Sequence, residues 1–151
     1  MAIIAIIPAR GESKSIPRKN IKLLAGKPLI VHTIETALKC KLLDRVIVST
    51  DDKEIAAISK KCGAEVPFIR PGELALDSAP MEPVLQHAVS YIEQNEKSPV
   101  EVVVLLQPTS PFREVSDIEN CIEKLRNEKA DSVVTVCEAE HNPYFVMMKF
   151  Q

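Results

Sequence analysis

The sequence predicts an α/β fold with a mostly parallel sheet, and three observations carry that reading. Four short apolar runs rich in β-branched residues recur along the chain, at 2–7, 46–48, 102–106 and 133–136. They are continuous rather than alternating, as strands covered on both faces are. Stretches of helical spacing separate them, each with its own start or stop signal.

The elements follow in order. Residues 2–7 form the first strand. Pro28 then stands at the first turn of a helix whose apolar stripe is Ile30, Ile34, Ala37 and Leu38. After the run at 46–48, Asp51 or Asp52 can cap a helix carrying Ile55, Ile58 and Cys62, with Gly63 as its stop. A short strand is expected near 67–69. Pro80 opens a helix with Met81, Val84, Leu85, Ala88 and Ile92 on one side. The strand at 102–106 is followed by Ser116-x-x-Glu119, a capping box before Ile118, Ile122 and Leu125. The run at 133–136 and the segment 144–151 (YFVMMKFQ) read as further strands. No repeat or linker interrupts the chain, so residues 1–151 are expected to form one domain. A strand at the very end suggests that the domain is incomplete at its C-terminus.

Composition narrows the function. The chain has 151 residues, 11 prolines and only 4 glycines, Gly11, Gly26, Gly63 and Gly72. Neither G-x-G-x-x-G nor G-x-x-x-x-G-K-[ST] can be written with them, which excludes a dehydrogenase or a P-loop enzyme built on those turns. Cys40, Cys62, Cys121 and Cys137 form no C-x-x-C pair and no zinc pattern, and are expected to be small core residues in a reducing cytoplasm. MAIIAIIPAR lacks a basic leader and is too short to span a membrane. His87 and His141 draw no catalytic role.

Charge is uneven. The formal net charge is −2, yet residues 1–27 hold six bases (Arg10, Lys14, Arg18, Lys19, Lys22, Lys27) against Glu12 alone. A basic segment on an acidic body suits a local anionic ligand; a nucleic-acid surface would need a wider basic stripe.

Ligands of open α/β sheets bind beyond the carboxyl ends of the strands. After the first strand, residues 8–20 show no helical or strand period, and a loop that long is usually functional. Pro8 and Pro17 stiffen it, Ser13, Ser15 and Asn20 add polar groups, and Arg10, Arg18 and Lys19 can bond phosphate oxygens. After 102–106 come Gln107, Pro108, Thr109, Ser110 and Pro111, an amide and two hydroxyls suited to a polyol or simply a turn. Arg70 either faces the same cleft or pairs with Glu73 on the surface. Asp77 and Ser78 precede a helix and read as caps.

Four segments, IPARGESKSIPRKN at 7–20, STDD at 49–52, RPGELALDS at 70–78 and LQPTSPFR at 106–113, together resemble the acylneuraminate cytidylyltransferases, or CMP-sialic acid synthetases. The resemblance implies a three-layer, Rossmann-like nucleotide-diphospho-sugar transferase fold. It implies transfer of CMP from CTP to the anomeric hydroxyl of a nine-carbon acidic sugar, with pyrophosphate released and a CMP-sugar made for cell-surface glycans. Arg10 and Lys19 match triphosphate positions, and Lys19 is the first choice for the residue that helps pyrophosphate leave. Asn20 and Arg70 match nucleotide contacts, Ser78 lies in the cytosine region, and Gln107, Thr109 and Ser110 match the segment facing the sugar acid. A cytoplasmic homodimer using Mg2+ is implied, with no nucleic-acid or membrane partner.

Two departures stand out. Glu12 and Ser15 occupy positions where the family commonly has glycine, which costs strain if either needs positive φ. The family's magnesium-binding aspartate pair and its partner-completing arm lie beyond this chain, and Asp51-Asp52 read as caps rather than metal ligands. The alternatives are a non-catalytic nucleotide-binding fragment and the cytidylyltransferase for the eight-carbon lipopolysaccharide acid.

Overall fold

The computed structural model describes residues 2–138. Dense internal contacts divide the chain into two units, Met1–Glu119 and Asn120–Gln151. In the first, β1 (Ala2–Pro8) leads into a loop and a short 3-10 turn at Lys19–Ile21. A small hairpin follows, β2 (Leu23–Leu24) and β3 (Lys27–Pro28), then α1 (Leu29–Lys39), β4 (Arg45–Ser49) and α2 (Lys53–Lys61). A 3-10 turn at Gly72–Leu74 precedes α3 (Met81–Asn95), β5 (Val100–Leu105) and α4 (Val115–Glu128), which runs on into the second unit.

The sheet is parallel, in the order β4-β1-β5. Central β1 is buried along its length, with Ile4, Ile6 and Ile7 fully enclosed. Each such side chain contributes about 1.5–3 kcal/mol. Ile4 and Ile6 pack with Ile47, Phe68, Ala88 and Ile92, so α3 covers that face. Side chains alternate along a strand, so Ile3, Ala5 and Ile7 point to the other face.

Handedness assigns the layers. The chain moves from β1 to β4 on one side and returns to add β5 on the other. Right-handed crossovers therefore place α1 and α3 on opposite faces. The loops after β1 and β5 leave from neighbouring strands where the order reverses, the position at which open sheets bind ligands.

The helix signals act largely as expected. Asp52 caps α2, its Oδ1 accepting from the Glu54 and Ile55 amides at 2.9 Å. Gly63 ends that helix at φ 95°, with its own amide bonded to the Lys60 carbonyl and the Ala64 amide to that of Ser59. Lys129, at φ 50°, closes α4 in the same pattern through the Arg126 and Leu125 carbonyls.

Several expectations are corrected. No strand forms at 67–69; instead Glu65 makes an isolated parallel bridge to Ile47, and the Arg70 amide reaches the Thr50 carbonyl at 2.8 Å. Pro67, without an N–H, cannot continue a ladder there. Residues 133–136 are not a strand: Val134 and Val136 are exposed, with no ladder partner among the described residues. A β-branched run needs a neighbour to pair with. The segment 144–151 and His141 lie outside the described residues.

Ser116 is not the cap of α4. The helix starts one residue earlier, and Asp117 Oδ2 accepts from the Glu114 amide at 2.8 Å. Of the cysteines only Cys40 is buried; Cys62, at the end of α2, and Cys121, in α4, are half-buried, and Cys137, beyond the last described helix, is exposed. His87 lies edge-on to Phe68, with ring centroids 4.8 Å apart.

Candidate functional site

The β1 loop is held from below by the acidic start of α2. The Gly11 amide donates to Asp51 Oδ1 at 3.0 Å. A Cβ on Gly11 would lie 2.9 Å from Asp52 Oδ2 and 3.0 Å from its Cβ, so close approach is why glycine stands there. Arg18 forks across Asp52 and Glu54, with its Nη2 2.6 Å from Glu54 Oε2. The hydrogen bond that Arg18 donates to Asp52 raises the Arg18 pKa, and Arg18 in turn holds the Asp52 carboxyl below its usual range.

The positive φ in this loop falls at Arg18, φ 55°, and not at Glu12 or Ser15. The charge pairing at Arg18 offsets a conformation that glycine would adopt freely. Asn20 is buried, and its Nδ2 donates to the Arg10 carbonyl at 3.0 Å, bracing the loop across its neck.

A cavity of about 300 Å³ opens between the ends of β1 and β5. Its lining includes Arg10, Lys19, Asn20, Arg70, Gln107 and Thr109. Ser78 and Ser110 are exposed beside this lining rather than in it; the Ser110 amide closes a turn onto the Gln107 carbonyl at 3.3 Å.

Arg70 is 5% exposed and does not pair with Glu73. Its Nε donates to Ser49 Oγ at 3.1 Å, its Nη2 to the Ser49 carbonyl and its Nη1 to the Leu74 carbonyl at 3.3 Å. All three acceptors are neutral. Burial pushes its pKa down, Asp51 at longer range draws it back up, and Arg10 lowers it again. Arginine still stays charged. A buried cation without a bonded carboxylate makes the cavity wall strongly attractive to an anion.

Lys19 also lines the cavity and has no ion-pair partner among the described residues. Arg10 bonds Asp77, which also takes Lys14 at 2.7 Å. Asp77 therefore caps nothing; α3 begins at Met81, with Pro80 before it and no side-chain cap. Sequence reasoning missed Ser49 and Asp77 as site neighbours. Asp77 stands 67 positions from Arg10 and Ser49 stands 21 from Arg70, with no local spacing to link them.

Among the described residues no group of three or more His, Cys, Asp or Glu can hold a metal ion. The adjacent acids Asp51 and Asp52 are committed to Gly11, Arg18 and the α2 amides. The donor set among the described residues does not by itself make a magnesium centre.

A lysine and two arginines surround a cavity at the switch point of a parallel sheet, an arrangement of charge and topology suited to a polyanion. A sequence model described as Cytidylyltransferase matches residues 4–144, and the chain belongs to that family. It is 41% identical over 145 residues to the CMP-N,N'-diacetyllegionaminic acid synthase of Legionella pneumophila, covering 95% of this chain and 61% of that protein. It is 42% identical over 135 residues to the N-acylneuraminate cytidylyltransferase of Escherichia coli, covering 89% and 31%. With the pseudaminic acid cytidylyltransferase of Campylobacter jejuni it shares 37% identity, over 93% and 60%. The chain thus spans about three-fifths or less of the length of these relatives. Among solved structures it is similar to a CMP:2-keto-3-deoxy-manno-octonic acid synthetase complexed with CTP, with TM-score 0.69, 25% identity and coverage of 86% and 49%. A 4-diphosphocytidyl-2C-methyl-D-erythritol synthase from Anaerococcus prevotii shares the fold at TM-score 0.63 and 19% identity.

Proposed function

We propose that this chain carries the nucleotide site of a nucleotidyltransferase that moves CMP from CTP to the anomeric hydroxyl of a nine-carbon acidic sugar. The observation behind this reading is buried Arg70, which among the described residues bonds only neutral acceptors, lining the same cavity as Lys19, which has no ion-pair partner among them. The sugar oxygen bonds the α-phosphorus, the bond to the bridging oxygen breaks, the hydroxyl proton is lost and pyrophosphate departs. Little covalent work falls to the protein, so positioning and charge neutralisation supply most of the rate.

Lys19 and Arg10 are assigned to the triphosphate, with Lys19 stabilising charge on the departing pyrophosphate. Asn20 and Arg70 hold the nucleotide, and Ser78 borders the cytosine. Gln107, Thr109 and Ser110 face the sugar acid. Magnesium is implied by the family resemblance, but these roles belong to the protein's own cations. No described helix is long and apolar enough to cross a membrane, which is compatible with the cytoplasmic homodimer assigned here. The one-domain reading of residues 1–151 belongs to the same proposal.

Relatives 37–42% identical support a sialic-type acid over the eight-carbon acid, whose synthetase is 25% identical. Calorimetric titration with CTP and UTP, then pyrophosphate release with N-acylneuraminic, legionaminic, pseudaminic and the eight-carbon acids, tests it. CTP-selective binding with turnover of a nine-carbon acid is the expected result. Equal affinity for CTP and UTP sinks the assignment. Selective binding without turnover favours the second reading, a nucleotide-binding module.

A further inference from the structure

A second cavity, about 350 Å³, adjoins the first and shares Arg10, Glu12, Ser13, Leu76 and Asp77 with it. On its far side are Lys14, Asp51, Gly72 and Ala75. Asp77 stands in the partition between the two, bonded to Arg10 beside it and to Lys14 on the far side. The Asp77 carboxylate thus takes two cations of the basic loop, as a ligand phosphate would. The segment bearing it is lightly held. It follows the 3-10 turn at Gly72–Leu74, Leu76 is 60% exposed, and the Ala79 amide bonds the Leu76 carbonyl in a single turn. At its base, Arg70 grips the Leu74 carbonyl, so Leu74 is anchored while Asp77 lies on the free side.

We propose that Asp77 is a built-in competitor for the phosphate position. In the ligand-free protein it neutralises Arg10 and Lys14. A polyphosphate takes those cations, swings the Asp77 segment away and joins the two cavities into one site. The inference rests on the anionic-ligand reading of the cavity but not on the identity of base or sugar. Lys14 and Arg10 hold the Asp77 carboxyl below its usual range, so it is charged and competent to compete at neutral pH. Exposed pairs of this kind are weak, which lets a triphosphate displace them.

The test uses inorganic tripolyphosphate, so that failure of the CTP assignment leaves it intact. Asp77→Asn is expected to bind tripolyphosphate about fivefold to tenfold more tightly, as loss of two exposed pairs allows. In the unaltered protein, tripolyphosphate should speed amide exchange at Ala79 several-fold as the segment is released. In Asp77→Asn that amide should exchange fast without ligand and respond little to it. Unchanged or weaker binding by Asp77→Asn overturns the proposal. So does slowed or unchanged exchange at Ala79 in the unaltered protein, a readout that holds even if the variant folds poorly. Titration with CTP alone decides the nucleotide reading separately.

Discussion

Arg70 lies against Ser49 at the end of β4, its Nε 3.1 Å from the serine hydroxyl and its Nη2 on the same residue's carbonyl. One residue thus receives two arms of a buried guanidinium, and the third arm fixes the Leu74 carbonyl. The cation is aimed by a hydroxyl and two backbone carbonyls rather than by a carboxylate, so no bonded acid offsets its charge among the described residues.

Arg70→Met should therefore weaken CTP binding by about tenfold or more, the loss expected of a charge-assisted contact. Calorimetry measures it. Arg70→Lys should recover part of the affinity but not the three-point anchoring, because lysine has no planar fork.

Lys19→Met should leave thermal stability nearly unchanged, since Lys19 has no ion-pair partner among the described residues. Turnover should fall by about a hundredfold, as when one transition-state donor is removed. Pyrophosphate release under saturating CTP reads it; unaltered kcat would remove Lys19 from the chemistry.

Gly11→Ala should destabilise the fold by about 1–3 kcal/mol in urea unfolding. The new methyl meets Asp52 Oδ2 at 2.9 Å on a helix start that cannot retreat without loosening its cap.

Asp52 links stability to pH. Its folded pKa is depressed from 3.8, chiefly by the hydrogen bond from Arg18. An unfolded chain then binds the proton more readily. The stabilisation is fully present above pH ~4 and is lost as pH falls through the lower, folded value. Asp52→Asn keeps a good cap and should flatten that acid slope, while Asp52→Ala should cost about 1 kcal/mol more. Urea midpoints between pH 2 and 7 distinguish the three proteins.

Much of the molecule was legible because its signals are local. Continuous apolar runs gave β1, β4 and β5, although among the described residues only β1 has a strand on each side and β5 is half-buried to exposed along its length. Asp52 and Gly63 mark α2 at both ends because capping needs only the adjacent amides. The hairpin of β2 and β3 was not anticipated. Its two-residue turn, Ala25 at φ 49° and Gly26 at φ 82°, lacks the asparagine or aspartate that usually announces such a turn. The run at 133–136 misled for the opposite reason. β-propensity records fitness for a paired surface, and no pair is present among the described residues.

By itself the sequence determined β1, β4, β5 and the four α-helices, the basic loop of 8–20, and the family to which four short segments point. Those are properties of neighbouring residues, whose periodicity and capping act within a turn or two. Only the tertiary structure decided that Arg70 turns inward to Ser49, that the loop's positive φ falls at Arg18, and that Asp77 stands between Arg10 and Lys14. Each of those outcomes depends on side chains far apart in the chain. Their meeting is set by the parallel crossovers that bring the ends of β1, β4 and β5 to one edge of the sheet.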